Sequence, residues 1–113
     1  MKEKHLNVAD ALVRLDGDRE LLEEIWDAYL EDTPKQMEIL RHALDDGDMK
    51  LAERQAHSIK SASGSIGANN LREIASRAEQ AGKAGDIALA TSHYGTMKTE
   101  FDAVIAEISE LLG

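Results

Sequence analysis

His57, Lys60, Ser61 and Gly64 stand at i, i+3, i+4 and i+7 within Ala56-His57-Ser58-Ile59-Lys60-Ser61-Ala62-Ser63-Gly64-Ser65-Ile66-Gly67-Ala68. Wound as an α-helix at about 100° per residue, this segment puts the four on one face. Ala52, Ala56, Ile59, Ser63 and Ile66 fall on the other, at the spacing of a core stripe. The pattern therefore turns a titratable nucleophile toward water with a cation one turn away. The neighbours on that face are too small to block a visitor. An exposed imidazole beside an ammonium, on a cleared surface, suits a group that another macromolecule must reach. A lone H-x-x-K would carry no such message, because most surface histidines on helices are only solvated. The full run, with Gly64, Gly67 and Ala68 in place, is far more specific.

The elements that must position this face are helical. Asn7 caps a short helix over about residues 7–16, with Val8, Leu12 and Leu15 apolar, which Gly17 stops. Asp18 caps the next, where Leu21, Leu22, Ile25, Trp26 and Tyr29 form a stripe, and at least one of the two aromatics is expected in the core. Thr33-Pro34-Lys35-Gln36 reads as a restart: Thr33 as N-cap, Pro34 at the first helical position, Gln36 closing a capping box. Met37, Leu40 and Leu44 then point inward until Asp46-Gly47. Asp48 caps the helix that carries His57. Propensity alone would end that helix near Ser61, but its apolar phase runs on to Ile66, with Gly67 as terminator. Asn70 and Glu73 read as the cap of a fourth helix, with Leu71, Ile74, Ala75 and Ala78 inward and Gly82 closing it. Asp86 caps the longest helix, along which Ile87, Ala90, Tyr94, Met97, Phe101, Val104, Ile108 and Leu111 recur in steps of three and four. The expected fold is all-α: an antiparallel four-helix bundle over about residues 18–112 with an additional short N-terminal helix, in one domain spanning 1–113.

Composition narrows the function. Lys and Arg total 13 against 22 Asp and Glu, so the net charge is −9, which repels nucleic-acid phosphates. There is no Cys, so disulfide and thiolate chemistry are excluded and a reducing compartment is compatible. No apolar run approaches the roughly 20 residues that span a bilayer. Lys2, Glu3 and Lys4 are not followed by an apolar stretch, so no signal peptide is read and the expected location is cytoplasmic. His5, His42 and His93 have no motif around them, and no H-x-x-x-H pair exists. Glu38 and His42 are only a near miss of the Glu-x-x-His pairs of di-iron bundles, so no metal site is expected.

The run from Ala56 to Ala68 resembles the signature of histidine-containing phosphotransfer (HPt) domains of two-component phosphorelays, and the helical order extends the resemblance over nearly the whole chain. It implies that His57 is the phospho-acceptor, reacting through Nε2, that Lys60 stabilises the phosphoryl group, and that Ser61 and Gly64 let a partner approach. An imidazole with a pKa near 6.5 offers a neutral nitrogen at cellular pH. Lys60 would offset the added charge by a charge-assisted hydrogen bond. No glycine-rich nucleotide loop occurs in the chain. The resemblance therefore implies a phosphocarrier rather than an enzyme, without a cofactor of its own. Its partners would be response-regulator receiver domains, which supply the aspartate and Mg²⁺, and a sensor or hybrid histidine kinase; as part of a larger membrane-bound kinase it would be tethered to the membrane. Lys50, Glu53 and Arg54 share the His57 face, and a contact with a partner or a solvated surface fits them equally. Some relatives place a polar group near the phosphoryl from the next helix; Glu79, Gln80 and Lys83 are all candidates here. A monomer is expected, since one bundle closes its own core. The rival reading is an adaptor bundle that binds a signalling partner without covalent chemistry.

Overall fold

The computed structural model describes residues 5–113, so Lys2, Glu3 and Lys4, on which the reading of the N-terminus rests, lie outside the described residues. Five helices follow in order: α1 (Val8–Arg14), α2 (Arg19–Asp46), α3 (Met49–Ser65), α4 (Asn69–Lys83) and α5 (Ile87–Leu112). No strand occurs among the described residues. Short connections make successive long helices antiparallel. α2 packs on α3, α3 on α4, α4 on α5 and α5 back on α2, while α1 lies against α2. The result is the expected four-helix bundle, 40 × 22 × 22 Å, with one added helix.

Four of the five starts are capped as the sequence predicts. Asn7, Asp18, Asp48 and Asp86 accept from the backbone N–H of Asp10, Leu21, Leu51 and Leu89. α4 differs: it begins at Asn69 behind Ala68, without a side-chain cap, and Asn70 lies inside its first turn. Gly67 does end the motif helix, at φ 83°. Gly82 does not end α4. It is buried inside the helix, where an added Cβ would stand 3.2 Å from the Glu53 backbone. The left-handed turn comes at Gly85 instead. Gly82 is thus a glycine of close helix approach, which in sequence looks the same as a terminator.

The predicted restart at Thr33-Pro34 is absent: α2 runs unbroken through Pro34. Proline costs an interior helix about 3 kcal/mol, yet the packing stripe does not change phase there. Trp26, Tyr29, Thr33, Met37, Leu40 and Leu44 are all buried on one face. Thr33 is 1% exposed, a core residue and not a cap. Trp26 and Tyr29 are both core. Leu21 and Ile87, expected in their stripes, stand exposed in the first turns of α2 and α5.

The N-terminal segment is tied down at two places. The Asn7 N–H donates to the Gly67 carbonyl at 2.8 Å, and the N–H groups of His5 and Leu6 donate to the Glu107 carboxylate. This fixes α1, and with it Arg14, beside the end of α3.

Close approach of α3 and α4 sets the geometry of everything on their outer face. Gly82→Val places a branched side chain against the Glu53 backbone and should cost about 1–3 kcal/mol by overpacking. Urea denaturation checks this; an unchanged midpoint would show that the two helices can part freely.

Candidate functional site

The rotation of α3 is set by what it buries. Ala52, Ala56, Ile59 and Ser63 are each 2% exposed or less. The Ser63 hydroxyl shares a 3.0 Å hydrogen bond with the Tyr29 hydroxyl inside the core. Burial pushes the Tyr29 phenol well above its ordinary range, against a smaller opposing effect of that bond, so the pair stays neutral. With this face inward, His57 must point out, and its side chain is 58% exposed.

The imidazole is not free, however. Its Nδ1 stands 2.8 Å from Glu79 Oε2 on α4. Lys60 Nζ donates to the other oxygen of the same carboxylate, Oε1, at 2.6 Å. Glu79 itself is only 5% exposed. Burial alone would raise its pKa, but the hydrogen bonds and charges of Lys60 and His57 outweigh this and hold it below the ordinary carboxylate range. An ionised carboxylate can only accept, so Nδ1 carries the proton of the neutral ring. The lone pair is then on Nε2, the outward nitrogen.

Of the three residues left open on the second helix, Glu79 faces the site. Gln80 is exposed, and Lys83 joins Arg54 and His57 along a shallow cavity of about 390 Å³. A signal for Glu79 was present in its spacing. It lies at i+4 from Ala75 and i−3 from Gly82, which places an acid at core spacing, where only a partnered charge is stable. Lys60 is half-buried and paired, rather than a solvated cation. Ser61 is exposed as expected.

Gly64 departs from expectation. It is buried, and the reason is Arg72 of α4, whose Cδ lies where a Cβ on residue 64 would come within 2.8 Å. The Gly64 carbonyl also accepts a hydrogen bond from Arg14 Nη1 of α1. Lys60, Ser61 and Gly64 thus form one wall of a groove of about 560 Å³, which Arg14 and Arg72 also line, with Leu15 and Ile25 between. No pattern along the chain points to either arginine, because each is brought there from another helix.

His42 is exposed and His93 is half-buried on α5, away from this face. Among the described residues no group of three or more His, Cys, Asp or Glu side chains is arranged to hold a metal ion. No helix among them is long and apolar enough to cross a membrane.

Comparison with known proteins places this four-helix bundle in a family. The Hpt domain family matches residues 24–108. The fold is similar to that in the crystal structure of histidine-containing phosphotransfer protein B (HptB) from Pseudomonas aeruginosa PAO1, with a TM-score of 0.87 and 22% identity over 96% of this chain and 95% of that one. No significant match is found among curated protein sequences. The chain belongs to the Hpt domain family, whose members perform histidine phosphotransfer in phosphorelay signalling together with kinases and receiver domains.

Two measurements test the carboxylate bridge. Imidazole ¹⁵N shifts should show the Nδ1–H tautomer of neutral His57 in the native chain and a shift toward Nε2–H in Glu79→Ala; a dominant Nε2–H form in the native chain would contradict the bridge. The lowered Glu79 pKa also couples to folding. Its stabilisation is complete above the unfolded carboxyl value of 4.5 and is lost as pH falls through the lower native value. Native stability should therefore fall more steeply below pH 4.5 than that of Glu79→Gln.

Proposed function

We propose that His57 is the phosphoryl acceptor and donor of this domain, acting between receiver-domain aspartates or from a kinase to a receiver. The observation that carries the reading is the bridge to Glu79, whose carboxylate accepts the Nδ1–H of the neutral ring and so leaves the lone pair on Nε2. Nε2 attacks the phosphorus of an aspartyl phosphate. The N–P bond forms as the P–O bond to the aspartate breaks, and the electron pair leaves on the aspartate carboxylate. The ring gains positive charge, which the Glu79 carboxylate offsets across the Nδ1–H hydrogen bond. Reversal of the same step delivers the group onward.

Lys60 is the group that meets the new phosphoryl oxygens. Its Nζ has three donors and spends one on Glu79. Ser61, exposed one turn from His57, borders the approach path together with Gly64. The domain acts as a phosphocarrier, and the receiver brings both the aspartate and the Mg²⁺ that orders the transferring group. The sensor or hybrid kinase upstream, a cytoplasmic site of action and a monomeric state belong to the same reading. One closed bundle across the described residues supports the last.

The test is transfer from a phosphorylated, Mg²⁺-loaded receiver domain to the native chain and to His57→Gln. The native chain alone should carry acid-labile, alkali-stable label, while the variant stays folded because the side chain is exposed. Label on the variant would mean that another residue is the acceptor. No label on a native chain that still binds receivers would favour the adaptor reading. Lys60→Ala should keep the fold but slow uptake or shorten the lifetime of the phosphorylated state by about tenfold, the usual scale for one charge-assisted contact. An equal rate and lifetime would remove Lys60 from the mechanism.

A further inference from the structure

We propose that Gly64 serves to seat Arg72, and that Arg72 and Arg14 together form a clamp for a carboxylate on the docking surface of the partner receiver. The inference rests on the phosphocarrier reading for the identity of the partner, but not for the clamp itself.

Three observations converge on it. First, the Arg72 stem lies over Gly64 so closely that any Cβ there would displace it, with Cδ at 2.8 Å and Nε at 3.8 Å from the added atom. Glycine at this position therefore leaves the space in which the Arg72 stem lies. Second, the Gly64 carbonyl accepts from Arg14 Nη1, so the same residue also fixes the second guanidinium. One backbone unit thus orients two cations from two other helices. Third, these cations are poorly neutralised. Among the described residues the Arg72 side chain has no hydrogen bond or ion pair, and Arg14 meets an acid only in one long contact, 3.4 Å, to Asp10. The acid in the groove, Glu73, pairs with neither.

Distance separates this clamp from the chemistry. Gly64 lies seven residues beyond His57, about 10 Å along the helix at 1.5 Å per residue. The clamp is thus set beyond the phosphoryl group and inside the footprint of a docked protein, in a groove that Leu15 and Ile25 line with apolar surface. A planar guanidinium pair suits bidentate recognition of a carboxylate. The partner is accordingly a receiver surface that presents an Asp or Glu beside an apolar side chain, on the flank of its own phosphorylation site.

The probe is a receiver domain activated with beryllofluoride and Mg²⁺, with binding to the native chain and to variants measured by calorimetry. Arg72→Ala should weaken binding about tenfold, and Arg72→Glu further, with a flatter salt dependence. The loss should fall on Kd and KM rather than on turnover at saturation. Gly64→Ala should reproduce the loss, and adding it to Arg72→Ala should cost nothing more, since both remove one arrangement. Arg72 is exposed, so its variants should keep the native thermal midpoint. Native binding by Arg72→Ala, or additive losses in the double variant, would overturn the proposal. Binding that depends on Arg72 in His57→Gln, with no phosphoryl uptake by the native chain, would instead keep the clamp and remove the phosphocarrier reading.

Discussion

One carboxylate, 5% exposed, reaches from α4 and holds both chemistry-bearing side chains of α3 at 2.8 and 2.6 Å. A buried acid is tolerable only when its charge is met, and here an ammonium and an imidazole N–H meet it. The arrangement demands that α3 and α4 approach within reach of one short side chain. The small residues Ala56, Ala75, Ala78 and Gly82 allow that approach, and Gly82 does so against the Glu53 backbone itself. The rotation of α3 is equally constrained, because the Tyr29–Ser63 hydrogen bond fixes the opposite face. The site is thus a consequence of helix packing, with no loop in it. Its precision comes from the rigid part of the molecule.

The legible and illegible parts of this site divide by how many helices a feature involves. Periodicity within α3 was enough to place His57 outward and Ile59 inward, and capping chemistry placed the starts of α1, α2, α3 and α5. Both signals are local. Thr33-Pro34 misled because its capping pattern is also local, while the stripe from Trp26 to Leu44 that overrides it is a property of the packed bundle. Gly64 was rightly singled out but wrongly placed on open surface. Its cover, Arg72, comes from a helix whose register against α3 no single-helix pattern reports. Glu79 lay between these cases. Its position on the apolar stripe of α4 was readable, but its partners were not.

Charge distribution ties the site to the rest of the chain. At a net charge of −9, some cations are paired with near acids along their own helices, as in Arg19–Glu23, Arg41–Glu38, Arg41–Asp45 and Lys98–Asp102. Such exposed pairs add little stability. Around His57 several cations gather. Arg54 and Lys83 border one side and Arg14 and Arg72 the other. For the proposed phosphorylated partner, an approach face richer in cations than the rest of an acidic chain is what the mechanism requires. Local cations also steer the encounter, an effect that weakens with salt.

The bridge also bears on how long a phosphoryl group can stay. At rest the ionised Glu79 carboxylate is held between the Lys60 ammonium and the imidazole Nδ1. In the proposed mechanism, phosphorylation at Nε2 would add about two negative charges to the phosphoryl oxygens and positive charge to the ring. Glu79 then stabilises the ring, but it also competes with the phosphoryl oxygens for Lys60. A freer lysine would hold the phosphoryl group more tightly. A missing carboxylate would leave the ring charge unmet and make the N–P bond easier to break. Sharing one ammonium between a fixed acid and a transient one keeps the intermediate between these extremes. That is the condition for a carrier that must be loaded by one aspartate and emptied by another.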